Sequence, residues 1–197
     1  MEKKIIITGG IGYIGTELCK IYSGISRNNK VLVLDNRFAS ERINQLRNWG
    51  IDFIHGDILD KELINKHCSD ADIIHHLAGI TDVPRVKSES SIEKENQIKL
   101  VAQKGTQNIL DAINDKCKII FPSTHVVYEG IEKVKNDIDE EEETKPILSY
   151  ADSKDINEKQ LRDSKKNYII LRLGSVYGYS TDAARIDIMP NLFSKIA

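Results

Sequence analysis

The shortages in this 197-residue sequence are informative. It has only three cysteines, Cys19, Cys68 and Cys117, widely spaced and odd in number. That argues against a disulfide framework and fits free buried thiols in a reducing cytoplasm. Neither charge sign dominates: 28 Lys and Arg face 30 Asp and Glu, for a net charge of -2. The basic residues are dispersed, so there is no electrostatic footprint for DNA or RNA and no nucleic-acid partner is expected. No apolar run approaches the ~20 residues needed to cross a bilayer, so no membrane association is expected. The basic-then-apolar start, Met1 to Thr8, stops at Gly9, too short for a signal-peptide core. The five histidines lack the paired spacing of a zinc helix. His75 and His76, adjacent on a strand, would point to opposite faces, so no metal is expected. Against these absences, 40% hydrophobic and 29% charged residues describe a soluble globular chain long enough for one well-packed domain.

What is present is an alternation of short apolar runs with amphipathic stretches. Strands are expected at Lys4–Thr8, Val31–Asp35, Ile51–His55, Asp72–Leu77, Lys118–Pro122 and Tyr168–Leu173. Helices are expected at Ile14–Ser23, Ser40–Asn48 with Ser40 as N-cap, Asp60–His67 capped by Asp60, within Ser91–Asn114, and at Tyr150–Lys165. Continuous apolar strands such as Val31–Asp35 are typical of a parallel sheet buried on both faces. The pattern predicts an α/β fold, a Rossmann-type doubly wound parallel sheet of right-handed βαβ units. There is no internal repeat beyond this alternation. One segment is biased: Asp137 to Glu143 carries six acids in seven residues and reads as a solvated loop face.

The first strand runs into Thr8-Gly9-Gly10-Ile11-Gly12-Tyr13-Ile14-Gly15, with Gly9, Gly12 and Gly15 spaced G-x-x-G-x-x-G. Glycines there permit a tight turn, backbone approach to a pyrophosphate, and close packing of helix on strand. The helix N-terminus then offers amides and partial positive charge to the phosphates. Asp35 ends the second strand twenty residues beyond Gly15. A carboxylate at that place accepts hydrogen bonds from the adenosine ribose and repels a 2′-phosphate, which favours NAD over NADP. Arg37, two residues on, is the residue that would greet such a phosphate. Asp57 and Ile58 follow the third strand and suit contact with the adenine amino group and cover for its ring.

Tyr150 and Lys154 stand four apart on an expected helix and so share a face. A free phenol, with a pKa of ~10, is a poor base at neutral pH, and a nearby ammonium favours its ionised form. Such a phenolate can take a proton from a hydroxyl as hydride leaves. Ser123 and Thr124 end the fifth strand, where ligands of such sheets bind, and either hydroxyl could hold a substrate oxygen.

Together these stretches resemble the extended short-chain dehydrogenase/reductase family, especially UDP-sugar 4-epimerases. The matching segments are Thr8–Gly15, Asp35, Gly56-Asp57-Ile58, His76-Leu77-Ala78-Gly79, Ser123-Thr124, Tyr150 with Lys154, and Leu171 to Gly178. They occur in family order over almost the whole chain. The resemblance implies a cofactor site of Gly9, Gly12, Tyr13, Ile14, Gly15, Asp35, Asn36, Asp57, Ile58, Leu77, Ala78, Gly79, Ser123, Tyr150 and Lys154. It implies Thr124, Tyr150 and Lys154 as catalytic residues, and Thr81, Thr124 and Ser175 as substrate-binding. The implied reaction is an NAD-dependent nucleotide-sugar epimerisation, with transient oxidation at sugar C4. A homodimer through the helices around Ser91–Asn114 and Tyr150–Lys165 is implied in the same way.

Three places depart from the family pattern. His125 and Val126 stand where 4,6-dehydratases carry Asp and Glu after the threonine, which disfavours dehydration. Thr81 stands where epimerases often carry Lys, and Ser175 where many relatives carry Asn. Relatives also continue into a C-terminal substrate lobe. Residues 1–178 are therefore expected to form the NAD-binding domain, and 179–197, with a helix at Pro190–Ala197, the start of a truncated lobe. The chain is expected to be a fragment. The rival readings are a sugar or small-carbonyl reductase or dehydrogenase of the same family, and a non-catalytic nucleotide-sensing module.

Overall fold

The structure, a computed structural model, describes residues 2–25, 29–81, 91–178, 180 and 189–196. Six strands form one sheet: β1 (Lys4–Thr8), β2 (Lys30–Asp35), β3 (Asp52–His55), β4 (Ile73–His76), β5 (Lys118–Thr124) and β6 (Asn167–Leu173). Their spatial order is β3-β2-β1-β4-β5-β6, and every pair is parallel. This is the doubly wound Rossmann arrangement the alternation predicts. Its order reverses between β1 and β4, and the crevice for a ligand opens at the carboxyl ends of those two strands.

The described residues also form the helices α1 (Tyr13–Ile25), α2 (Ser40–Asn48), α3 (Lys61–Cys68), α4 (Ile92–Ala112) and α5 (Ser149–Asp163), followed by α6 (Met189–Ile196). Strand side chains alternate between two cores. Ile6, Leu32, Leu34, Ile74, Ile119 and Phe121 pack with Ile64, Ile109 and Leu161 of α3, α4 and α5. Ile5, Ile7, Val31 and Val33 pack with Cys19 of α1 and Leu46 of α2. Each fully buried Leu or Ile side chain contributes about 1.5–3 kcal/mol. All three cysteines are buried and free, and burial pushes the Cys19 and Cys68 thiols up to about 12 and the Cys117 thiol up to about 11.

Several boundaries differ from the sequence reading, each with a local cause. The Ser40 assignment is corrected: the capping position is Ala39, and Ser40 is the first helical residue with no side-chain cap. Asp60 does cap α3, its carboxylate accepting from the Leu63 amide at 3.0 Å. Glu62 in the first turn and Lys66 in the last complement the helix dipole. Strand β5 runs two residues further than its apolar run, through Ser123 and Thr124, because β6 keeps pairing with it. Pairing of β4 with β5 stops at Ile120. Pro122 therefore costs that side no ladder bond.

Asp60 generates a direct test. Asp60→Ala removes the cap of a helix only eight residues long. Urea unfolding should show a loss of about 1 kcal/mol.

Candidate functional site

The turn after β1 is built on backbone contact. Gly9 has φ +70, and a Cβ there would lie 2.8 Å from the Ala78 nitrogen and 2.9 Å from the Leu77 carbonyl carbon. A Cβ on Gly15 would lie 2.6 Å from both the Gly10 Cα and the Gly9 oxygen. Neither position tolerates a side chain, and each contact is with main chain that cannot swing away. The first amides of α1, at Tyr13 and Ile14, have no carbonyl one turn earlier to bond. The residues fit a dinucleotide: a side-chain-free turn, an open helix N-terminus, and an exposed Gly79 with nothing near its Cβ position. Gly10 was not singled out in the sequence, yet a Cβ there would lie 2.6 Å from Val33.

Asp35 is buried and braces this turn from β2. Its carboxylate accepts from the Ile11 amide at 3.2 Å and the Arg37 amide at 3.0 Å. The Arg37 guanidinium lies 3.5 Å from it, more than half exposed. Asn36 donates to Asp57 at 3.0 Å, and Asp57 also accepts from the Leu59 amide at 2.9 Å. The two residues thus join the ends of β2 and β3. Ile58 lies at the start of this segment's path into the core. Its side chain is buried and packs on α4, where a Cβ on Gly105 would lie 2.3 Å from its Cδ1. Leu77 packs into the core, while Ala78 donates its amide to Thr8 at 3.2 Å. Tyr13 donates its hydroxyl to the Gly178 carbonyl at 2.8 Å, tying α1 to the segment after β6.

The chemistry-bearing side chains collect at the end of β5. Lys154, on α5, is buried and donates to the Pro122 carbonyl at 2.8 Å. Its ammonium lies 4.4 Å over the Phe121 ring. Burial pulls its pKa down from 10.5 to about 8, and the Glu158 charge opposes the fall. Tyr150 sits half-buried one turn earlier on the same helix. Thr124 is buried, and its hydroxyl oxygen accepts from the Val126 amide at 3.3 Å, capping a 3-10 turn at His125–Tyr128. That hydroxyl keeps its own proton to donate. Ser123 is buried too, but its hydroxyl is spent on Glu158. Of the two strand-end hydroxyls, Thr124 is thus the one whose proton is not committed to Glu158. Thr81 and Ser175 are both exposed. His125, in the place of a dehydratase acid, is exposed and its Nδ1 lies 3.1 Å from the Leu173 carbonyl. Among the described residues, no three His, Cys, Asp or Glu cluster as a metal site.

The model of the 3-beta hydroxysteroid dehydrogenase/isomerase family matches residues 6–181. The chain belongs to this family. Similar curated proteins are a CDP-paratose 2-epimerase of Salmonella typhi, 29% identical over 89% of this chain and 58% of that one, and a UDP-glucose 4-epimerase of Lactobacillus helveticus, 30% identical over 92% and 54%. Among solved structures, a UDP-glucuronic acid 4-epimerase of Bacillus cereus in complex with UDP-glucuronic acid and NAD superposes with a TM-score of 0.77. It is 26% identical, over 95% of this chain and 60% of that one. The chain spans a little over half the length of these relatives. The resemblance read from the sequence, to extended short-chain dehydrogenase/reductases and UDP-sugar epimerases, agrees with the match.

Two buried polar networks of this family member escaped the sequence reading. His76 lies 2.9 Å from the Thr8 hydroxyl and 3.0 Å from the Thr106 hydroxyl, and Asn157 donates to Thr106 at 2.9 Å. The chain joins the strand before the glycine turn to the helix carrying Lys154. His75 instead meets Tyr22 of α1 at 2.7 Å, so the two histidines do face opposite sides. The second network centres on Glu158 and Arg172. No sequence spacing marks either, because their partners lie on different elements.

Burial holds the His76 pKa down at about 3, against 6.5 for a free imidazole, with the Lys154 charge adding to the effect. The neutral ring is favoured in the fold, so its stabilisation is complete above about 6.5 and is lost as pH falls toward 3. Each proton taken up only on unfolding costs about 1.4 kcal/mol per pH unit. Urea unfolding between pH 6.5 and 5 should therefore show a slope reduced by about that amount in His76→Gln. An unchanged slope would assign the acid sensitivity elsewhere.

Proposed function

We propose that the whole protein is an NAD-dependent epimerase acting on a nucleotide sugar. The observation that carries this reading is the convergence at the end of β5. Lys154, one helical turn from Tyr150, and Thr124 are held there, at the same carboxyl end of the sheet as the side-chain-free turn at Gly9. Relatives crystallised with NAD, and in one case with a UDP-sugar, support it.

Bound NAD would supply a hydride acceptor and donor next to the sugar carbon. The remaining work falls to the chain itself. Gly9, Gly12 and Gly15, with the amides of Tyr13 and Ile14, seat the pyrophosphate; Asp35 and Asn36 take the adenosine ribose; Asp57 takes the adenine edge. The backbone at Ala78 and Gly79 forms the ledge on the β4 side. Thr124 donates a hydrogen bond to the sugar hydroxyl and orients it. Tyr150, as phenolate, accepts that proton, and the Lys154 ammonium stabilises the phenolate and grips the nicotinamide ribose. Thr81 and Ser175, both exposed, contact the sugar and its diphosphate. Residues 1–178 serve as the NAD-binding domain and 179–197 begin the substrate lobe.

We assign it to the cytoplasm, on its three free thiols, and to a homodimer through α4 and α5. These helices lie side by side, with Asn157 and Gln160 donating to the Ala102 and Gln103 carbonyls at 2.9 Å. Ile92 and Leu100 stay exposed on α4. No described helix is long and apolar enough to cross a membrane.

Two measurements test the reading. NAD should raise the melting temperature by several degrees more than NADP at equal concentration, because Asp35 repels a 2′-phosphate; equal shifts would remove the role given to Asp35. The whole protein, including any sequence beyond residue 197, should convert at least one of UDP-glucose, UDP-N-acetylglucosamine and UDP-glucuronic acid to its epimer without net absorbance at the reduced-nicotinamide band. Steady accumulation of NADH would point to a dehydrogenase instead. Tyr150→Phe should lower turnover by at least ~100-fold, and full activity in that variant would end the proposed mechanism.

A further inference from the structure

Glu158 is fully buried, yet it touches neither the glycine turn nor the expected substrate rim. Its Oε2 accepts from Arg172 Nη2 at 2.7 Å and from Arg162 Nη2 at 2.9 Å. Its Oε1 accepts from Arg172 Nε at 3.1 Å and from the Ser123 hydroxyl. Arg172 also reaches the Tyr128 hydroxyl and donates to the Glu140 carbonyl at 3.0 Å, while Tyr128 donates to the Asp139 carbonyl at 3.0 Å. One carboxylate thus ties together α5, β6, the end of β5 and the loop that leads from Thr124 to Tyr150.

Stability is a weak explanation for such a group. A buried ion pair can usually be replaced by apolar side chains of equal volume without loss. Its position is more telling. Glu158 follows Lys154 by one helical turn, and the two bind consecutive residues of β5: Lys154 the Pro122 carbonyl, Glu158 the Ser123 hydroxyl. Thr124 is the next residue.

We propose that Glu158 is a positioning residue: clamped by Arg172, it fixes the end of β5 through Ser123 and sets its negative charge one helical turn from the Lys154 ammonium, where the cofactor ribose is gripped. This rests on the functional reading above. The titratable and charged groups around Lys154 are Glu158 and Tyr150, each one turn away on its own helix, neutral His76 on β4, which also lies against the Phe121 ring, and Arg172 on β6, bonded to the Glu158 carboxylate. Of these, Glu158 is the one that raises the Lys154 pKa against burial. Arg172 and Arg162 partly neutralise its charge.

The test is the pH dependence of NAD affinity, by calorimetry from pH 6.5 to 9.5. The whole protein should carry Tyr150→Phe, so that the phenol adds no second inflection. In this parent the dissociation constant should rise as pH passes about 8, where Lys154 loses its proton. Glu158→Gln should move that rise down by about one pH unit, because the anion is gone and Arg172 is left uncompensated. Arg172→Met should move it up. Opposite directions distinguish charge positioning from general damage to the fold. A Glu158→Gln variant that binds more weakly with the inflection unmoved overturns the proposal. If that variant fails to fold, the half-exposed Arg162→Gln decides: an upward shift supports the proposal, and none overturns it. Lys154→Met serves as the separate check on the functional reading. An inflection that survives it denies Lys154 its cofactor role, and absence of NAD binding in the parent sinks the functional reading and this proposal together.

Discussion

The site depends on main chain touching main chain where β1 meets β4. At Gly9 and Gly15 there is no room for even one carbon between backbone segments. That contact brings the start of α1 to the crevice mouth and sets it against the ledge at Ala78. The neighbouring strands then brace the turn with polar groups of their own. Asp35 reaches across from β2 to the Ile11 amide, and Thr8 takes the Ala78 amide. A side chain at either glycine would force these strand ends apart and lose the seat for a phosphate with them.

The two buried polar networks extend this constraint to the far side of the crevice. One runs from Thr8 through His76 and Thr106 to Asn157; the other runs from the end of β5 through Glu158 to Arg172. Both end on α5, the helix of Tyr150 and Lys154. Apolar packing alone lets a helix slide along a sheet at little cost, since it has no direction. Hydrogen bonds at 2.9–3.0 Å, as in the His76 chain, do have direction, and unmaking one inside a core leaves a costly unsatisfied group. The networks therefore fix α5 against both the cofactor turn and the strand-end hydroxyls.

The fold was legible because its elements announce themselves locally. Strands such as Lys30–Asp35 are continuous apolar runs, and Asp60 and Ser91 cap their helices as their chemistry demands. The glycine turn and the Tyr150–Lys154 pair were legible for the same reason, since each is defined by spacing within one turn. What stayed hidden was long-range. Ser123 and Glu158 are thirty-five residues apart, and His76 and Thr106 thirty. The packing of Ile58 on α4 was hidden too, because an apolar residue after a strand suits a ring face or a core equally well, and its contact with Gly105 lies on another helix. The acidic run was read from its side chains, nearly all of which are exposed. Its carbonyls at Asp139 and Glu140 nonetheless hold Tyr128 and Arg172, a use that charge patterning does not encode.

Burial also divides the site by task. Thr124, Lys154, Asp35 and Glu158 are enclosed, and each is fixed by hydrogen bonds within the protein. Thr81, Gly79 and Ser175 stand exposed at the rim. A group that must meet a developing charge gains from being held in place and kept from water, because its interaction is stronger there and needs no reorganisation. An exposed group has no such shelter, and changing it leaves the interior packing untouched. The fold thus locks the enclosed groups through hydrogen bonds and leaves the rim groups free to vary without disturbing the core.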